Sequence, residues 1–220
     1  MARLIAVMGE SGAGKTTALR TLDPEKTCII DCDKKGLSWR GWRRQYSRER
    51  KNYFQTDEAA KVTAAMQQIA AKRPEVSVIV IDTINALMIA DEMRRSREKG
   101  YDKWLDLAVC IYNLIDAALP LRDDLTVVFT AHTQTDRDDS GYAFTHIKTS
   151  GRKLDKIVLE SKFPVVLHAK CIGGDYVFET HANMSTAKTP LGLFASETIP
   201  NDLQAVISAL DAYENEEETA

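Results

Sequence analysis

Residues 9 to 16, Gly9-Glu10-Ser11-Gly12-Ala13-Gly14-Lys15-Thr16, carry the spacing GxxxxGK[ST], which suits a chain of phosphates. Glycines let the backbone curl around an anion with its N–H groups turned inward, Lys15 supplies a positive point charge, and Thr16 offers a hydroxyl to Mg²⁺. The pattern predicts a nucleoside triphosphate site lined by residues 9 to 17, Thr17 included, with ATP and Mg²⁺ as cofactors. Such a loop needs a strand to deliver it and a helix to receive it. Leu4-Ile5-Ala6-Val7-Met8 reads as the strand. Thr17 to Leu22 reads as the helix, with its N-terminal dipole toward the phosphates and Asp23-Pro24 ending it.

Acids that could serve this loop end other apolar runs. Asp82 follows Val78-Ile79-Val80-Ile81, a run with the continuous β-branched character of a strand buried on both faces. There it can hold Mg²⁺ through water beside Thr16, or cap the helix that follows. Thr27 to Asp33 is a second such run, and its acids Asp31 and Asp33 share one face of an extended chain. Asp33 is the first choice to activate the attacking water, with Asp31 as the alternative and a turn-forming acid as the plain reading. His132 ends the run Leu125 to Ala131, where it can either sense a terminal phosphate or be an ordinary satisfied polar residue.

These runs alternate with helical periodicity at Asp57–Ala70 and from about Ile84 to Leu119, the order of a right-handed parallel α/β sheet. Later, Val165–Ile172 and Asp175–Thr180 flank Gly173-Gly174, which predicts an antiparallel hairpin, and Asn201–Leu210 predicts a closing helix. At 220 residues and 44% hydrophobic content the chain can bury one core, so a single domain over residues 1–210 is expected, with residues 211–220 as an acidic, disordered tail. That tail is read either as solubilising or as a competitor for basic surfaces. Cys28, Cys32, Cys110 and Cys171 lack CxxC spacing and are expected to be buried, reduced thiols rather than zinc ligands. No run is long enough to span a bilayer, and Arg3 interrupts any leader, so a cytoplasmic protein without a membrane partner is expected.

The succession GESGAGKTT, IIDCD, VIVIDTINAL and VVFTAHTQ resembles the ATPase core of RecA/Rad51 recombinases, especially the short phage RecA-like single-strand annealing proteins, over roughly residues 3 to 180. The resemblance implies a RecA-like P-loop NTPase: a mostly parallel central sheet flanked by helices, with the antiparallel hairpin near its end. It implies that Asp33 activates water where RecA carries a glutamate, and that His132 senses the γ-phosphate where RecA carries a glutamine. It also implies a homo-oligomer, ring or filament, with ATP between subunits. Lys170 and Lys188 are then candidates for the neighbour's contribution, and the short start before the first strand means that subunits must meet through another surface than the RecA extension.

The same family places DNA-binding loops after the third and fourth strands. The first would contain Arg94, Arg95, Arg97 and Lys99 beside Tyr101, and the second, irregular from Thr133 to Lys153, would contain Arg137, Tyr142, Phe144, Lys148, Arg152 and Lys153. Basic and aromatic side chains together suit single-stranded DNA, although Asp136, Asp138, Asp139 and Asp155 also permit a solvated charged loop. Residues 34–51 hold eight Lys or Arg against Glu49 alone, with Trp39, Trp42 and Tyr46 among them. Trp39 or Trp42 lies near where RecA-like proteins stack the adenine; the helical spacing of the three rings equally permits a packing stripe. The expectation is an ATP-dependent, phage-type DNA recombination protein, a weak DNA-linked ATPase that binds single strands and promotes annealing, with a single-strand-binding protein among its partners. A small-molecule kinase and a non-catalytic, ATP-gated helicase loader are the alternatives.

Overall fold

The computed structural model describes residues 1–98, 102–137, 139–149 and 158–215. Its centre is a sheet in the order β3-β2-β4-β5-β1-β7-β8-β9. The strands are β1 (Arg3–Gly9), β2 (Thr27–Asp31), β3 (Tyr53–Gln55), β4 (Val78–Asp82), β5 (Thr126–Arg137), β6 (Ala143–Ile147), β7 (Val165–Ile172), β8 (Asp175–Glu179) and β9 (Thr198–Pro200). All pairings from β3 across to β7 are parallel, whereas β8 and β9 add antiparallel strands at the far edge. The expected α/β fold and its late hairpin are both present. Gly173 and Gly174 turn that hairpin with φ of 61° and 95°, a conformation that two successive L side chains adopt only with strain.

Burial explains the layering. Along β1, Leu4, Ala6 and Met8 join one core with β4, β5, the helix α2 (Ala59–Lys72) and α4 (Asp102–Asp116). Ile5 and Val7 join the other, which is covered by Leu203, Val206, Ile207 and Leu210 of α5 (Leu203–Asn215). A strand apolar on both faces is thus buried on both, and the sheet lies between two helical layers.

Several local expectations are corrected. The segment after the phosphate loop is a 3₁₀ turn, Thr17–Thr21, instead of an α-helix. Its threonines are β-branched and Pro24 follows at once, which leaves too short a run to nucleate α-helix. The mostly helical segment expected from about Ile84 to Leu119 consists of two helices, α3 (Ile84–Arg94) and α4, which begins at Asp102. The irregular loop expected from Thr133 is a β-hairpin over much of its length, because β5 runs on to Arg137 and pairs antiparallel with β6, Thr133 opposite Ile147 and Arg137 opposite Ala143. The tail expected from residue 211 is helical to Asn215, with Arg3 paired to Asp211 at 2.8 Å and Glu214 at 2.7 Å; residues 216–220 lie outside the described ones. Of the four thiols expected to be buried, Cys28 and Cys32 are, Cys110 is half-buried and Cys171 is exposed. Among the described residues no helix is long and apolar enough to cross a membrane.

Glu160, in the 3₁₀ turn Leu159–Lys162, anchors the outer hairpin from below. Its buried carboxyl accepts the Ile147 N–H at 2.6 Å and the Thr186 hydroxyl at 2.9 Å. Glu160→Ala leaves the Ile147 N–H without this acceptor and the Thr186 hydroxyl with only the weakly accepting Met8 sulfur at 3.4 Å, and is expected to lower stability by about 2–4 kcal/mol in urea titrations, with Glu160→Gln milder.

Candidate functional site

The register of the sheet sets the site. Gly9 at the end of β1 lies opposite His132 on β5, and Met8 lies opposite His168 on β7, so the loop that leaves β1 passes between two histidines. Gly14 takes φ of 97°, and a Cβ there would stand 2.7 Å from the Tyr176 ring of β8. Only glycine fits both demands. Lys15 is buried; its ammonium donates to the carbonyls of Gly9 and Glu10 at 2.8 Å each and lies 3.4 Å from His132 Nδ1. Burial pulls the pKa of Lys15 down to about 8, and burial together with the Lys15 charge lowers that of His132.

Asp82 ends β4 fully buried. It accepts the Thr16 hydroxyl at 2.9 Å and the Thr130 hydroxyl as well, while burial raises its pKa. A buried carboxyl held above its ordinary value beside a hydroxyl oxygen is the donor set that a hard cation stabilises, so Thr16 and Asp82 fit Mg²⁺. A bound Mg²⁺ would offset charge on the phosphate oxygens.

The structure separates Asp31, which ends β2, from Asp33 in the turn that follows. Asp31 is buried and saturated: it accepts the backbone N–H groups of Lys34 and Gly36 at 2.8 Å each, Gln55 at 3.1 Å, and the Tyr53 hydroxyl. Those bonds make it the keystone of the turn after β2. Asp33 is half-buried, pairs with Lys35, and acts electrostatically on Lys15, Asp82 and His132, which places it on the phosphate side.

Trp39 is engaged in packing. Its ring meets Tyr46 edge-on at 5.9 Å and its indole N–H donates to Gln45 at 2.8 Å, while Trp42 packs on Tyr53 at 5.1 Å. This is the stripe reading, although the helix α1 covers only Trp42–Gln45. The adjacent Ser38 hydroxyl lies 3.3 Å from that of Thr17.

Of the expected DNA contacts, Arg94 belongs to α3 and pairs with Asp57 at 2.8 Å, and Arg95 pairs with Glu98 at 2.7 Å and Asp106 at 2.9 Å. Arg97 is exposed, and Lys99, Arg152 and Lys153 lie outside the described residues. Arg137, Tyr142, Phe144 and Lys148 are exposed on or beside the β5–β6 hairpin, with Phe144 stacked on His146 at 5.3 Å.

One cluster carries only Lys170 from among the residues that the sequence pointed to. His168 and Glu179 face each other across the β7–β8 hairpin, both buried, with His168 Nδ1 at 3.1 Å from the carboxylate. Lys170 at 2.8 Å and the Ser185 hydroxyl at 3.0 Å complete the carboxylate's partners. Burial opposes ionisation of Glu179, yet these hydrogen bonds hold its pKa below the ordinary value, and burial lowers that of His168. The neutral imidazole therefore carries its hydrogen on Nδ1. His168 and Lys170 line a cleft of about 620 Å³ together with Glu10, Ser11, Gly12 and Ala13 of the same chain's loop. Period-two spacing of His168 and Lys170 on a hairpin strand was the available signal. Lys188, also considered for the site, is exposed and pairs through its backbone with Val166.

Because free Lys15 titrates near pH 8, binding of a triphosphate must raise its pKa and draw in a proton above that pH. Calorimetry in buffers of different ionisation heat should show uptake of about half a proton or more at about pH 8.5, shrinking toward zero near pH 7; a buffer-independent heat at the higher pH would contradict the assignment.

No curated protein matches the chain. The AAA domain family, AAA_24, matches residues 1–191, a span that contains the phosphate loop, Asp33, Asp82, His132, the β5–β6 hairpin and the His168–Glu179 cluster. The chain belongs to this family and is a nucleotide-binding P-loop ATPase domain.

Proposed function

We propose that this ATPase domain binds single-stranded DNA and promotes strand annealing or pairing in phage-type recombination, with ATP and Mg²⁺ setting its grip. The observation that carries the reading is the continuity of β5. The strand that ends at the phosphate site with His132, 3.4 Å from Lys15, continues into a hairpin bearing Arg137, Tyr142, Phe144 and Lys148. Exposed rings with neighbouring cations are the equipment of a sequence-tolerant single-strand platform. Phe144 and His146 share one face of β6 and stack there, while Ile147 on the opposite face is buried, so the rings stand on a fixed base.

In this mechanism Lys15 and the inward N–H groups of residues 9–16 hold the phosphates, and Thr16 with Asp82 holds the cation. Asp33 orients and deprotonates the attacking water, and His132 reads the terminal phosphate. The chain acts as a ring or filament of its own copies, with a single-strand-binding protein as a further partner.

Filter binding with labelled oligonucleotides tests the DNA claim. Single-strand binding is expected at ~50 mM salt and should weaken steeply with added salt, and its absence with and without ATP and Mg²⁺ would refute the reading. Phe144→Ala should weaken binding about 5-fold or more, as expected for loss of one stacking ring. For the water-activating role, Asp33→Asn should leave ATP affinity within about twofold while turnover falls about 100-fold; unchanged turnover would remove Asp33 from the mechanism.

A further inference from the structure

Where β5 leaves its parallel neighbours, the sheet orphans backbone groups. The β4 pairing stops at Ile81 opposite Phe129 and the β1 pairing stops at Gly9 opposite His132, after which β5 pairs only with β6. Within this split one side chain substitutes for a peptide. Asn85, buried in the first turn of α3 (Ile84–Arg94), accepts the His132 N–H at 2.7 Å on its Oδ1 and donates from Nδ2 to the Lys148 carbonyl at 2.8 Å. Lys148 N–H in turn donates to the His132 carbonyl at 2.7 Å, closing a ring of three hydrogen bonds. The orientation of the amide follows from its partners, because a backbone N–H can only donate and a carbonyl can only accept. A carboxylate could make half of this link, and an apolar side chain none of it.

We infer that Asn85 is a positioning residue that couples the phosphate site to the β5–β6 hairpin. It sits three residues beyond Asp82, after the cap Thr83, and so is fixed to the strand end that carries the cation ligand. Its amide grips the backbone of His132, whose ring lies 3.4 Å from the Lys15 ammonium, and the backbone of Lys148, where β6 ends. A bound triphosphate that draws on Lys15 and the His132 side chain acts on the residue whose backbone this ring holds, and any shift of that backbone is passed through the ring to β6. The coupling needs no contact between Asn85 and nucleotide or DNA. It rests on the ATP-switch reading above, and gives that reading a physical route.

Amide hydrogen exchange, with a slowly hydrolysed ATP analogue and Mg²⁺ and without DNA, tests the inference. In the unaltered protein the saturating analogue should change exchange in peptides covering residues 132–149 by about threefold or more. Asn85→Asp keeps the size of the side chain and the acceptor for His132 but opposes the Lys148 carbonyl with like partial charge. It should abolish most of that nucleotide-dependent difference while the analogue's affinity stays within about threefold. Asn85→Ala should do the same, and the Asp variant carries the test if the Ala variant does not fold. A mere backbone cap would speed exchange equally with and without analogue, so a preserved difference in Asn85→Asp overturns the inference, as does an unaltered protein whose residues 132–149 ignore the analogue. Loss of oligonucleotide binding would be read in the filter assay instead, which keeps the two failures distinct.

Discussion

Strand β1 is hydrogen-bonded on both edges, to β5 and to β7, and everything at the phosphate site follows from that double pairing. A parallel sheet collects the C-terminal ends of its strands on one side, so the loop after Gly9 emerges between the ends of its two neighbours. One neighbour delivers His132 and continues outward as a hairpin. The other delivers His168 and then returns as β8, whose Tyr176 presses on Gly14. Slippage of β1 by one residue would exchange Leu4, Ala6 and Met8 with Ile5 and Val7 between two different cores, which is why the register, and with it the spacing of the two histidines, is fixed.

Burial has opposite consequences for the two ends of the site. It lowers the pKa of Lys15 and raises that of Asp82, so each group is held in surroundings that disfavour its charge. A ligand that brought negative charge alone would relieve Lys15 and aggravate Asp82, and a cation alone would do the reverse. An anion and a cation that arrive together relieve both, which is the electrostatic reason for pairing a triphosphate with Mg²⁺ here.

The sequence disclosed those parts of the site that depend on short-range chemistry. Residues 9–16, Asp82 and His132 were legible because each ends an apolar run long enough to be a buried strand. The different surroundings of Asp31 and Asp33 were not, since period two puts both on one face. The saturation of Asp31 depends on Tyr53 and Gln55 of β3, a strand of three residues behind a charged segment that gave no periodic signal. The outer half of β5 was illegible for a related reason: beyond Ala131 it leaves the core, its side chains turn polar and partly exposed, and only pairing with β6 keeps it extended. Asn85 carried no signal at all, because its two partners are backbone groups that the chain brings near it only after folding.

Arg3 begins β1 on the edge of the sheet away from the phosphate loop, and its guanidinium grips Asp211 and Glu214 near the end of α5. The first strand and the last helix are therefore stitched together at the pole opposite the nucleotide. A fluorophore, affinity handle or surface tether joined near residue 3 or residue 214 would depart from this pole and leave the phosphate loop and the β5–β6 hairpin facing open solution. The pole that carries Arg3 and the end of α5 is thus a face by which the domain can be held while its nucleotide-binding face stays accessible.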